Sequence, residues 1–326
     1  MHDPWAALRI PDFRRYIVAH FTVTLGIQIQ GVVVAWQMYL DTRDPLALGL
    51  IGLAEALPNI AAALVAGHVA DRMERRRLAM IATVALLGCS LALAWLGGLE
   101  GDAARIRIVG AYVVIGISGV ARAFLQPART ALVAAMVPRA LQPNAVTWRS
   151  TAWQLGAVVG PALGGLLNAL VGARNSYLVD AALVTTSLLA LTTITFRAVP
   201  IAAPTGESTM AALTAGVRYL RRQRLLLGTM TLDLFSVLFG GAIALLPIFA
   251  ADILHVGAWG LGLLRAAPAL GAVLMAVWLS WRPPMQRAGR SMLMAVAAFG
   301  AFTIVFGLSR SLWLSMAALA ASGAVD

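Results

Sequence analysis

The chain has 326 residues, 60% of them apolar and 12% charged, with a mean hydropathy of +0.82. This composition excludes an ordinary water-soluble domain and leaves an all-α protein that crosses a membrane many times. The net charge of +11 comes entirely from Arg, with no cationic stripe interleaved with aromatics, so nucleic acid is not the expected partner. A single cysteine, Cys89, and four His residues far apart in sequence leave no disulfide and no metal cluster.

Met1 to Arg15 mixes Asp3, Asp12 and three Arg with Trp5, Leu8, Ile10 and Phe13, the pattern of a short interfacial helix. It lacks the small-residue cleavage site of a signal peptide. The apolar runs then predict helix 1 at Tyr16–Leu40, helix 2 at Leu46–Ala70, helix 3 at Leu78–Leu99 and helix 4 at Ile106–Ala128, with Arg129 at the surface. Pro127 and Pro138 bracket a connection to helix 5 at Ala145–Val171, and helix 6 follows at Ser176–Phe196. Arg197–Arg224 is the longest polar segment, opening on Pro200, Pro204 and Gly206, with Ser208 or Thr209 placed to cap an amphipathic helix. Helices 7, 8 and 9 are expected at Leu225–Ala251, Ala258–Trp281 and Ser291–Leu308, and a tenth begins near Leu312. The domains read as residues 1–197, a linker at 198–224, and residues 225–326.

Between helices 2 and 3 stands Gly67-x-x-x-Asp71-Arg72-x-x-Arg75-Arg76, followed by Arg77. A short loop this rich in Arg is retained on the cytoplasmic side during insertion, which places the N-terminus inside the cell. Gly67 at a helix end invites close approach of another helix. Asp71 among guanidiniums can join a charge network that forms in one domain arrangement and breaks in another. A plain topogenic cluster is the alternative, but it would not require Gly67 and Asp71 at these spacings.

Shifting helix 2 by 210 residues lays Gly52 on Gly262, Leu53 on Leu263, Glu55 on Arg265, Pro58 on Pro268 and Arg72 on Arg282. The second half therefore repeats the first. Helix 5 carries Gly156-x-x-x-Gly160-Pro161-x-x-Gly164-Gly165, which puts a groove along one face and a bend at Pro161.

Ionisable groups at membrane depth are functional candidates. Here they are Glu55, Arg122, Asp233 and Arg265, with Asp180 nearer the outer end of helix 6. Asp233 suits a proton carrier, or equally a carboxylate fixed to an Arg for packing. Glu55 and Arg265 can pair with each other or serve separate networks. Trp36, Gln28, His20 and Trp153 are the candidates for a substrate cavity, although His20 also reads as a hydrogen-bonded core histidine. Trp95, Trp259, Trp281 and Trp313 read as interfacial anchors. A Gly-x-x-x-x-Gly-Lys phosphate loop is impossible without lysine, so the chain is not expected to be an enzyme or to use ATP. An ion gradient, most economically of protons, would supply the energy with no cofactor.

The Gly67–Arg76 pattern resembles the signature of the major facilitator superfamily. Glu74, where the family has Gly, is similar to the branch of enterobactin exporters and transmembrane secretion proteins. The helix 5 string resembles the signature of exporting members, where it is thought to bias the sealed conformation. Arg122 resembles the family's proton-coupling Arg, but Phe124, Leu125 and Gln126 replace the glycines that usually follow. The resemblance implies two pseudo-symmetric six-helix bundles, with about ten spans in this chain and the second bundle incomplete. It also implies a monomer in the inner cell membrane that exports a small amphipathic molecule of the drug or siderophore kind. An uptake permease and a non-transporting sensor or truncated product are the alternatives.

Overall fold

The computed structural model describes residues 3–99, 103–196, 223–239, 242–282 and 288–326, and every regular element among them is helical. A 3-10 turn at Ala7–Arg9 leads into α1 (Pro11–Thr42), α2 (Pro45–Arg72), α3 (Arg75–Leu96) and α4 (Ala104–Met136). Then come α5 (Gln142–Thr192), α6 (Arg224–Phe239), α7 (Ala242–Ile248), α8 (Gly257–Ser280), α9 (Ala288–Leu308) and α10 (Leu312–Val325). Seven helices among the described residues are long and apolar enough to cross a bilayer. Outward-facing residues such as Leu57, Ile60, Ile304 and Leu308 are exposed apolar side chains, as lipid contact requires.

Several boundaries differ from expectation for identifiable reasons. Pro11 at the first helical position starts α1 before Tyr16, its missing N–H costing nothing there. The N-terminal segment is no free interfacial helix. Asn144 accepts from the Ala7 N–H at 3.0 Å and donates to the Pro4 carbonyl at 2.8 Å, while Trp5 packs on Trp148 at 4.9 Å. Helix α4 runs through Pro127 to Met136, so Arg129 lies inside it and is only 8% exposed rather than on the surface. Helices 5 and 6 join without a loop. The chain turns at Gly172, whose φ of 79° is open to glycine, leaving arms at residues 142–171 and 173–192 within α5. The expected helix 7 comprises α6, α7 and a π-helical turn at Phe249–Ile253, next to Pro247, which removes a backbone donor. The linker, residues 198–224, lies outside the described residues except for its last two.

The chain packs as two compact units. The first runs through α5 and also takes in Ala244–Ala266 from the segment read as the second bundle. Its interior has two apolar layers. One gathers Phe13, Tyr16, Val23, Leu78, Leu86, Leu125, Leu132 and Val184, and the other Leu25, Ile29, Val33, Cys89, Leu93, Ile115 and Tyr177. On each helix the change of layer falls beside buried polar residues: Thr24 on α1, Ser90 on α3, Ser118 on α4 and Asp180 on α5. A polar belt thus crosses the bundle between apolar layers, and its α1 member, Thr24, also lines the site described below.

In the second unit, α8 and α10 cross with Gly271 against the Ala320 carbonyl and Gly323 against the Pro268 carbonyl. In the first unit, α2 and α4 cross with Gly116 and Gly119 against the carbonyls of Ala54 and Glu55. The second and fourth helices of each half therefore meet through glycine, where a missing Cβ lets backbones touch.

Candidate transport cavity

Three helices of the first unit each contribute a stripe at spacings of three or four residues, which places it on one helical face. From α1 come Tyr16, His20, Thr24 and Gln28, from α4 Arg122, Gln126 and Arg129, and from α5 Arg149 and Trp153. Together with Ile27, Leu125, Thr130 and Ser150 they enclose a cavity of about 370 Å³. It lies toward the end of the bundle that holds the start of α1 and the end of α4.

Of the four residues expected at a substrate cavity, Gln28, His20 and Trp153 line this one. Trp36 does not: it sits two turns further along α1, half-buried, past the last α1 lining residue. His20 is buried, but neither ring nitrogen has a hydrogen-bond partner, so the expected hydrogen-bonded core histidine is replaced by one stacked on Tyr16 at 5.8 Å. Arg129, expected at the surface, and Arg149, not singled out in the sequence, are among the lining residues that the sequence reading missed. Arg122, Gln126 and Arg129 recur on one helical face, a signal hidden when the helix is ended at Ala128, beside Pro127.

Glu55 is ion-paired with Arg122 from α4, and Arg122 also reaches Gln30 Oε1 at 3.4 Å. Arg265 instead donates to the Gly31 carbonyl at 3.0 Å, so the repeat-equivalent Glu55 and Arg265 serve separate partners. Asp180 lies in the first half of the arm 173–192. It lies opposite Gly26, in the middle of α1, is 1% exposed, and keeps Oδ2 without a hydrogen-bond partner. A Cβ on Gly26 would stand 2.5 Å from its Oδ1, so that glycine makes the space for the carboxyl. The side chain of Asp233, on α6, lies outside the described residues.

The helix 5 string works on two sides. Added Cβ atoms at Gly156, Gly160 and Gly164 would strike Thr24, Gln28 and Ile29 of α1, at 2.8, 2.5 and 3.0 Å. Gly165 faces α8, where its Cβ would meet the Ala258 carbonyl at 2.5 Å, and Gly262 of α8 faces the Pro161 carbonyl at the same distance. Away from the cavity, Asp252 accepts from Tyr39 and, at 3.1 Å, from Arg43 at the C-terminal end of α1.

At the hinge, a Cβ on Gly67 would meet nothing within 4 Å among the described residues, so none of them makes the close approach expected there. Arg75 binds the Ala131 carbonyl within α4 at 3.2 Å, and Arg76 binds those of Leu191 and Thr192, at the end of α5, at 3.0 and 2.5 Å. The side chains of Asp71 and Arg72 lie outside the described residues.

The transmembrane secretion effector family model matches residues 2–325. The chain belongs to that family. Its curated relatives include enterobactin exporter EntS of Citrobacter koseri, 28% identical over 312 residues, covering 93% of this chain and 71% of that one. The EntS protein of Shigella flexneri is 27% identical over 321 residues, covering 96% and 73%. Among solved structures, the nucleoside transporter NupG aligns with a TM-score of 0.70 at 13% identity, covering 96% of this chain and 80% of that one. A D-xylose-proton symporter aligns at 0.63 with 15% identity, covering 95% and 78%. At such identities the structures establish the fold alone, which is that of the major facilitator transporters. The secretion effector chain is thus a multi-pass membrane protein of a transporter family and not an enzyme.

Proposed function

We propose that this chain works as a proton-coupled exporter of small amphipathic molecules, by alternating access, in the inner cell membrane with its N-terminus in the cytoplasm. The observation that carries the reading is the cavity walled by α1, α4 and α5, with polar stripes from the three helices facing one another. Arg-rich connections assign its nearer end to the cytoplasm by the positive-inside rule, so it would be loaded from inside. The exporter names of the curated relatives favour outward transport over uptake. Asp180 and Glu55 join Asp233 as proton-carrier candidates, because carboxyls inside a membrane bundle are kept for such work.

The test uses inverted membrane vesicles containing the chain, with an imposed inside-acid pH gradient and a panel of hydrophobic compounds and siderophores. Substrate-dependent proton release that disappears in one of Asp233→Asn, Glu55→Gln or Asp180→Asn supports antiport and identifies the carrier. If inserted, folded protein releases no protons with any compound, the exporter reading is lost.

A further inference from the structure

We infer that the cavity between α1, α4 and α5 is a site for organic anions, in which Arg129 and Arg149 hold a carboxylate or similar oxyanion and Trp153 packs against an aromatic or apolar body. The assignment rests on the reading of this cavity as the transport site and names the class of molecule it takes.

Three guanidiniums face the cavity, and the lining contains no carboxylate. Arg122 has its counter-charge in Glu55. Arg129 and Arg149 have no ion-pair partner among the described residues. Arg149 is steadied by Thr130 Oγ1 at 3.3 Å, while Arg129 is only 8% exposed. An uncompensated guanidinium held away from water inside a membrane bundle is costly, and an entering anion relieves that cost. Arg also presents a planar fork of donors that matches a carboxylate in a bidentate manner.

A second observation is independent of the charges. Tyr16 Oη and both ring nitrogens of His20 are buried at the cavity wall without hydrogen-bond partners. Arg149 lies close enough to both residues to act on each electrostatically. Buried polar groups left open in this way await a ligand or water. Tyr16 can donate to an anion, and His20 can donate from whichever nitrogen carries its proton. Ile27, Leu125 and the half-exposed Trp153 supply an apolar side to the same space. The volume of about 370 Å³ falls in the range of small-molecule sites. An aromatic carboxylate satisfies both sides, whereas a cation would face two guanidiniums without counter-charge.

Binding is measured on the purified full chain in uncharged detergent, by isothermal titration with naphthoate, its neutral amide and naphthylmethylammonium. The expected result is that naphthoate binds at least tenfold more tightly than the amide and that the cation does not bind. Arg129→Gln and Arg149→Gln should each weaken naphthoate at least tenfold and leave the amide within about twofold. The comparison of the three probes on the parent protein needs no variant and stands even if Arg129→Gln fails to fold. Equal affinity for the three, or no binding of naphthoate, overturns the assignment. So does tighter binding of phosphatidylglycerol in the same micelles, which would give the arginines to a lipid headgroup. Because binding needs no gradient, anion binding without proton release would remove the exporter reading alone. Proton release driven only by neutral or cationic compounds would remove the anion alone.

Discussion

Glu55 on α2 is ion-paired with Arg122 on α4, at the crossing where Gly119 leaves room for the backbone carbonyl of Glu55 itself. The same residue thus supplies the backbone contact and the charge of this helix pair. Neither partner is fully withdrawn, with side-chain exposures of 37% for Glu55 and 19% for Arg122, so the pair is weaker than a dry one.

Removing either partner leaves the other charge without its counter-ion. Glu55→Gln and Arg122→Gln are each expected to destabilise the detergent-purified protein by about 1–3 kcal/mol. The double variant should lose less than their sum, by roughly 1 kcal/mol of coupling. Thermal or denaturant unfolding of the four proteins checks this, and simple additivity would mean that the pair adds nothing to stability.

Glycines that look alike in the sequence should respond differently. Gly160→Ala and Gly165→Ala place a methyl against Gln28 of α1 and the Ala258 carbonyl of α8, at 2.5 Å in each case. Each should lower stability by about 1–3 kcal/mol through overpacking. Gly67→Ala meets open space and should be neutral, or stabilising by about 0.5–1 kcal/mol through helix propensity. A common unfolding assay ranks the three, and a large loss at Gly67 would reveal a partner helix in solution.

Arg76 ties the start of α3 to the last turn of α5 through the Leu191 and Thr192 carbonyls. Nearby, Asp12 accepts from the N–H groups of Thr195 and Phe196 at 3.2 and 2.9 Å. Arg76→Ala should remove the side-chain cap of the Thr192 carbonyl and leave Leu191 with the Ile194 N–H alone, at a local cost of about 1–2 kcal/mol. Faster amide exchange confined to residues near 189–196 is the expected readout. An unchanged exchange pattern would show that Asp12 holds this end unaided.

Cys89 is the single cysteine and is 4% exposed within the second apolar layer. A fluorogenic maleimide should leave it unmodified in the native protein and label it only as the bundle opens, so the labelling curve should coincide with loss of tertiary structure. Rapid labelling at room temperature would place a water path beside Cys89 that the packing does not have. Cys89→Ser should remove the signal, with a stability loss of about 1 kcal/mol or more for a buried hydroxyl.

The sequence by itself determined the all-helical membrane class, the order of the spans, the half-repeat and the glycine string. Each follows from local rules: runs of apolar residues, helical spacing, and Arg kept on one side of the membrane. It also supplied three of the cavity residues, because polar side chains on α1 and α5 interrupt otherwise apolar faces at helical intervals. The tertiary structure alone decided the rest. Pro127 looks like a helix end in the sequence, but α4 continues past it and turns Arg129 inward to face Arg149 of another helix. Glu55 chose Arg122 over its repeat mate Arg265, and Gly67 proved open while Gly165 proved closed, because each outcome depends on which helix lies alongside. Periodicity fixes the face on which a residue sits. Only the packing of separate helices fixes what that face meets, and charge pairing at membrane depth is settled by that meeting.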